Sequence, residues 1–243
     1  MTDYMKHWRP RLLLALPVAA APLAFPLSQM GYGSLHDLAA SMLLPGAVAL
    51  VAGWWLLRRG TDDHRRVARL LYEGAVAGIL ATLALEAIRY SGFRLGFMPG
   101  NLPRLMGVLL LDRFALGPSG MSDVAGFAYH FWNGASFGMI FTLLAGAGAG
   151  SIRLALGYGL AVGVGFMMSP VVLSLGVGYF GRNFGWPFAA TVLLAHAAFG
   201  LALGYVLQGL SHCVGRPGAV TRAASRPSPV ERRRLRSLRP LGP

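Results

Sequence analysis

Long apolar stretches separated by short charged segments constrain the fold of this chain more than any other feature. A helix needs roughly 20 mainly apolar residues to cross a bilayer. Stretches that reach or approach this length span residues 12–30, 38–57, 70–88, 124–144, 154–177 and 187–207. Only 13% of all residues are charged, against about 25% in soluble domains. The sequence therefore predicts an all-α polytopic membrane bundle of six transmembrane helices over residues 1–213.

The first apolar stretch is the weakest of the six, because Pro17, Pro22 and Pro26 interrupt it. Its basic start and the small residues at 19–21 also fit a cleavable signal peptide. Two interpretations therefore stay open for this stretch, a first transmembrane helix and a leader whose removal leaves the other five helices unchanged.

The distribution of arginine predicts how the bundle is oriented. Cytoplasmic loops of membrane proteins carry an excess of Lys and Arg. With a cytoplasmic N-terminus, most of the 22 Lys and Arg residues fall on the cytoplasmic side. Trp54 and Trp55 then lie at the inner interface, and Tyr90 and Trp186 at the outer one, where aromatic residues are typical. We therefore expect a multi-pass protein of the cell (inner) membrane with both termini in the cytoplasm.

The connection between the third and fourth stretches, residues 89–123, contains a short apolar segment. Asn101 can cap a helix, and Pro103 is tolerated in a first turn. The resulting helix ends near Phe114 and is too short to span a bilayer. It is either a re-entrant element that covers a site below it or an interfacial helix on the outer surface.

Residues 214–243 are rich in arginine, proline and serine, and they lack the apolar content of a core. We predict a disordered, basic cytoplasmic tail. Ser228, Pro229 and Glu231 form a capping-box pattern, so a short basic helix could follow. The tail is expected to contact anionic lipid headgroups, or to act only as a topology anchor. Nucleic acid is not an expected partner, because no aromatic residues alternate with the arginines.

Three ionisable side chains at a similar predicted depth, Glu86, His130 and His196, mark the candidate site. Such groups are costly inside a bilayer unless they face the bundle interior and find partners. Arg89 and Asn133 each follow one of them at i+3 and complete a candidate polar cavity. Imidazole and carboxylate suit Zn, Fe or Ni, so the three residues are also candidate metal ligands. The structural alternatives are a local Glu86–Arg89 ion pair and interhelical hydrogen bonds.

Small residues and a proline predict how the last two spans pack. Gly159 with Gly163, and Gly200 with Gly204, are small-xxx-small pairs that let helix backbones approach closely. They fit packing within one chain or a homodimer through Gly-rich helices. Pro170, inside the fifth stretch, predicts either a kink or an opened backbone that lines a cavity.

Three short motifs occur within residues 97–207: Pro-Arg-Leu-Met-Gly at 103–107, His-Phe-Trp-Asn-Gly at 130–134, and His-Ala-Ala-Phe-Gly at 196–200. In these motifs the chain resembles a group of uncharacterised multi-pass bacterial membrane proteins that share a domain of unknown function. The resemblance implies a membrane-helix fold and a set of positions, with no activity or cofactor attached.

Three functional hypotheses fit the polar cluster. The first is transport of a small solute or ion through a cavity open to the outer side. The second is a membrane-embedded metal or haem protein or enzyme, in which Gly134 and Gly200 leave room for the group beside His130 and His196. The third is a structural or stress-response scaffold. The single Cys213 excludes a Cys-based metal cluster, and no Walker, Rossmann, HExxH or serine-elbow motif occurs.

Overall fold

The computed structural model describes residues 2–213, with side chains described for 14–146 and 148–211. Throughout this range the regular structure is helical, so the predicted all-α class is confirmed. The predicted basic tail lies outside the described residues. In chain order the helices are α1 (Thr2–Gln29), α2 (Leu35–Leu38), α3 (Leu44–Arg58), α4 (Asp62–Arg94), α5 (Leu102–Leu110), α6 (Gly120–Ala145), α7 (Ile152–Met167), α8 (Pro170–Ser174) and α9 (Trp186–Cys213).

Local sequence signals set where several helices begin. Thr61 and Ser119 cap α4 and α6, and each takes part in a capping box. Pro103 lies in the first turn of α5, where its missing N–H costs nothing. Asn101 occupies the N-cap position of α5, but its side chain makes no capping hydrogen bond. Its side-chain oxygen instead accepts a hydrogen bond from Arg89.

Four helical stretches are long and apolar enough to cross a membrane: Leu35–Arg58, Asp62–Arg94, Ile152–Ser174 and Trp186–Ser211. The apolar part of α1, Leu14–Gln29, is shorter. Residues 124–144 form most of α6 but are not among the four, because the polar side chains of His130, Asn133 and Ser136 dilute their apolar character. The structure thus supports a membrane protein, and the count of six spans stays a prediction.

Glycines bring α4 and α6 into backbone contact. A Cβ at Gly74 would lie 2.6 Å from the Gly138 carbonyl oxygen, and a Cβ at Gly78 would overlap the Gly134 carbonyl. The Thr142 hydroxyl donates a 2.7 Å hydrogen bond across this contact to the α4 backbone. Close approach of this kind is how small residues stabilise helix pairs in membranes, and it aligns His130 with the Glu86 level of α4.

The two predicted glycine pairs pack against one another within the chain. A Cβ at Gly159 would lie 2.9 Å from the Gly200 Cα atom, and one at Gly204 would lie 2.8 Å from the Ile152 Cα atom. These contacts join α7 to α9. The homodimer through Gly-rich helices stays a prediction.

Helix α5 is held tightly against the start of α6. A Cβ at Gly107 would overlap the Ser122 carbonyl oxygen, and one at Gly126 would overlap the Pro103 carbonyl oxygen. The Arg104 Nε atom also lies 3.1 Å from the Asp123 Oδ1 atom. The short predicted helix therefore exists and is packed on the bundle, but it ends at Leu110 and not near Phe114. The choice between a re-entrant and an interfacial helix stays open.

Candidate functional site

A cavity of about 330 Å³ lies among the helices, with walls from α1 and α4 through α9. Its size falls at the lower end of small-molecule sites, roughly 300–1,000 Å³. Aromatic residues are prominent in its walls: Phe25, Phe137, Phe166 and Phe199. The mixture of a mainly apolar lining and a few polar groups is typical of sites for organic ligands.

The cavity brings together four of the five predicted site residues. Arg89, His130, Asn133 and His196 all line it. Glu86 is not part of the wall, and it contacts Arg89 and His130 instead. The predicted cluster is therefore divided into residues that face the cavity and a carboxylate that holds two of them.

Glu86 and Arg89 form a buried bidentate ion pair on α4. The Arg89 Nε and Nη2 atoms donate to the two carboxylate oxygens at 2.6 and 2.7 Å. The Arg89 side chain is 6% exposed and the Glu86 side chain is 13% exposed. Asn101 accepts a further hydrogen bond from Nη2 at 3.2 Å. The two charges thus offset one another, as a buried charge requires, while the Arg89 Nη1 atom is buried and has no partner within the described residues.

His130 contacts the same carboxylate from α6. Its Nε2 atom lies 2.9 Å from the Glu86 Oε1 atom, although within the described residues it makes no hydrogen bond of good geometry. A carboxylate favours a proton on the nitrogen that faces it. A proton on Nε2 of neutral His130 would face this carboxylate and would leave the lone pair on Nδ1. Among the described residues, that Nδ1 atom has no hydrogen-bond partner.

His196 is fixed in the opposite tautomer. Its Nδ1 atom lies 2.8 Å from the Val192 carbonyl oxygen, and a carbonyl only accepts, so Nδ1 carries the proton. Phe166 stacks on the ring, with 6.2 Å between centroids and 22° between planes. Gly163 makes room for it, because a Cβ there would lie 2.9 Å from the His196 Cβ atom. The Nε2 lone pair has no partner within the described part of the chain.

Asn133 orients the α6 side of the cavity. Its Nδ2 atom donates to the Tyr129 carbonyl at 3.1 Å. Its Oδ1 atom is buried and unpartnered within the described residues. The Tyr129 hydroxyl in turn donates to the Ala21 carbonyl at 2.7 Å, so the same turn of α6 is tied to α1.

The fifth predicted span is broken at the cavity. Helix α7 ends at Met167 and α8 begins at Pro170, as the proline predicts. Ser169 lies in the break and lines the cavity, and its hydroxyl is buried without a partner in the described residues. Irregular backbone of this kind is tolerated at membrane depth where it lines a cavity.

No known family model matches this chain. No curated protein and no solved structure matches it either. The resemblance to a bacterial membrane family stays a prediction, and the function is inferred from the geometry described above.

The metal site of Glu86, His130 and His196 stays a prediction. In the described residues, no group of three or more His, Cys, Asp or Glu side chains is arranged to hold a metal ion. Glu86 uses its carboxylate to bind Arg89 and His130. The role of Gly134 and Gly200 as space for haem stays a prediction, and both glycines make packing contacts. A Cβ at Gly134 would overlap the Thr82 hydroxyl, and one at Gly200 would lie 2.5 Å from the Ala155 carbonyl oxygen, so both serve helix packing.

Sequence reasoning missed much of the cavity wall. Thr82 and Arg89 lie seven residues apart on one face of α4 and both line the cavity, so helical periodicity could have found Thr82. Thr191 lies five residues before His196 on α9 and also lines the cavity. For Phe25 and Met106 no sequence signal exists, because their position depends on how α1 and α5 pack.

Proposed function

We propose that the protein is a membrane carrier that binds a small, uncharged, largely apolar solute in this cavity and moves it across the membrane. The observation that carries the proposal is the cavity itself, with apolar walls and two histidines that each offer a free ring nitrogen. Sites of this size and lining suit small organic molecules.

The lining favours an organic solute over an ion. Ion pathways are lined by rings of carbonyl groups or charged side chains. Here the charge of Arg89 is offset by Glu86, and most of the wall consists of Phe, Leu, Met, Val and similar residues. An ion would lose its hydration in this cavity without gaining comparable contacts.

The break between α7 and α8 supports movement of the bound solute. Transporters commonly place discontinuous helices at their binding sites, and one part of the bundle rocks against the other there. Ser169 in the break and Val171 in α8 both line the cavity. A change in the angle between α7 and α8 would therefore alter access to the site.

We also propose that α6 and the apolar part of α1 are the two further spans of a six-span bundle. Helix α6 supports this by packing along the candidate span α4 through glycine contacts. The arginine distribution supports cytoplasmic termini and favours a site in the outer half of the membrane. Leu102 and Met106 of α5 line the cavity, which favours α5 as its cover.

The Arg-rich tail is proposed to contact anionic headgroups.

Filling the cavity is expected to stop transport. Ala195 lines the cavity and is 2% exposed, so Ala195→Phe places a ring where the solute would bind. We expect the counterflow of radiolabelled benzamide, an uncharged ring compound, to fall at least fivefold in proteoliposomes that contain this variant.

The neighbouring position provides a matched control. Leu194 is on the same helix but 61% exposed and outside the cavity, so Leu194→Phe should transport like the unaltered protein. Both variants are compared at equal incorporation and with intact melting transitions. Absence of protein-dependent counterflow, or equal rates in the two variants, would contradict the carrier proposal.

A second candidate, a metal or haem protein, is supported by one observation. His130 and His196 each direct one ring nitrogen to an oxygen atom, a carboxylate and a carbonyl respectively. Histidines that bind metals are commonly oriented in this way. Metal analysis and the visible spectrum of the purified protein separate the two candidates. One metal or haem per chain, lost in His130→Phe and His196→Phe, would favour this candidate over the carrier.

A further inference from the structure

We propose that the solute is a neutral, ring-sized hydrogen-bond donor of the phenol or hydroquinone class, whose hydroxyl group donates to a free ring nitrogen of His130 or His196. This inference rests on the proposed function and specifies its substrate. It is carried by the directions of the two imidazole rings, the charge balance at the cavity and the aromatic wall.

The two histidines make the cavity an acceptor site. The Glu86 Oε1 atom lies 2.9 Å from Nε2 of His130, and the Nδ1 atom of His196 donates to the Val192 carbonyl oxygen at 2.8 Å. When the nitrogen that faces each oxygen carries the proton, the other nitrogen of that ring is unprotonated. In a neutral imidazole the remaining nitrogen is an acceptor. Both histidines line the cavity, so a ligand that brings a hydroxyl donor finds two acceptors there.

The charge balance selects a neutral ligand. Arg89 is the one residue with a permanent charge among the described residues that line the cavity. Its charge is compensated by Glu86 through two hydrogen bonds. A carboxylate ligand would find a cation whose charge Glu86 already offsets, with only the Arg89 Nη1 atom left without a partner among the described residues. An ammonium ligand would meet a guanidinium. Either unpaired charge is unfavourable in a site of this kind.

The aromatic wall selects a ring. Phe137, Phe166 and Phe199 line the cavity together with the two histidines. Phe166 already stacks on His196 in a near-parallel arrangement. Aromatic rings pack against such surfaces in offset or edge-to-face geometry. A phenol can thus place its ring among the phenylalanines and its hydroxyl group against a histidine.

The test compares two probes that differ in one donor hydrogen. Binding of 4-fluorophenol and of 4-fluoroanisole is measured by ¹⁹F NMR on the full chain in lipid nanodiscs, with empty nanodiscs to subtract partitioning into lipid. We expect 4-fluorophenol to bind at least tenfold more tightly than 4-fluoroanisole. Methylation of the hydroxyl group removes the only donor that could form a hydrogen bond to a histidine nitrogen. This ratio needs no variant of the protein.

Variants then locate the donor contact. His196→Phe preserves a ring in contact with Phe166 but removes both nitrogens, and we expect the tenfold preference to fall at least threefold while 4-fluoroanisole binding is retained. His130→Phe should lower the preference as well if both rings contribute. His64→Ala is the control, since this half-exposed histidine belongs to the capping box of α4 and does not line the cavity, and the preference should be unchanged.

The outcomes separate this inference from the carrier proposal. Equal binding of the two probes, abolished by Ala195→Phe, would overturn the phenol assignment and retain the cavity as the binding site. Tighter binding of 4-fluorobenzoate than of 4-fluorophenol would overturn the assignment in favour of an anion. Binding of neither probe above the empty nanodiscs, or binding that Ala195→Phe leaves unchanged, would overturn both proposals.

Discussion

Replacement of Glu86 by glutamine is expected to lower the free energy of unfolding by about 3–5 kcal/mol. The carboxylate accepts two hydrogen bonds from Arg89 and contacts His130. Glutamine retains the shape but leaves the guanidinium, 6% exposed, without a compensating charge. Unfolding of the variant and of the unaltered protein is followed by denaturant titration in mixed micelles.

Two comparisons make this result specific. Glu73 lies on the same helix and is only partly buried, so Glu73→Gln should change stability by less than about 1 kcal/mol. Arg89→Met combined with Glu86→Gln should recover part of the loss, because the unpaired charge is removed. Equal stabilities of the Glu86 and Glu73 variants would show that the buried ion pair does not hold the site together.

Replacement of Gly107 by alanine is the second change with a large expected effect, about 3 kcal/mol of destabilisation or more. A Cβ at this position would overlap the backbone carbonyl oxygen of Ser122. Backbone on the facing helix cannot rotate away as a side chain can. The variant must therefore separate α5 from α6, which would also disturb the cavity wall at Met106.

Gly100 provides the matched control for this prediction. It lies just before α5, and a Cβ there would meet no atom within 4 Å, so Gly100→Ala should change the melting temperature by no more than a few degrees. Thermal unfolding of the three proteins in the same detergent gives the comparison. Equal melting temperatures of the Gly107→Ala and Gly100→Ala proteins would contradict the tight α5–α6 contact.

The sequence predicted the helical class and most of the site because both depend on local pattern. Apolar length identified the helices, and the cost of burying an ionisable group identified Glu86, His130 and His196. The i+3 spacing also identified Arg89 as the partner of Glu86. These inferences need only the chemistry of each residue and the geometry of its own helix.

The remaining features depend on how helices meet, which local pattern does not specify. The crossing of α4 and α6 brings Glu86 into contact with His130 as well as Arg89. It also makes Gly134 a packing contact. The contribution of Phe25 to the wall follows from the position of α1. Counting spans by apolar length leaves out α6, because its polar side chains lower its apolar character.

The most direct measurement of the central claim is the ¹⁵N solid-state NMR spectrum of the histidine rings in lipid bilayers, assigned with His130→Phe and His196→Phe. We expect His130 to carry its proton on Nε2 and His196 on Nδ1, with the other nitrogen of each unprotonated and shifted on addition of 4-fluorophenol. The opposite tautomers, or two doubly protonated rings that do not respond to the phenol, would contradict a cavity with two imidazole acceptors.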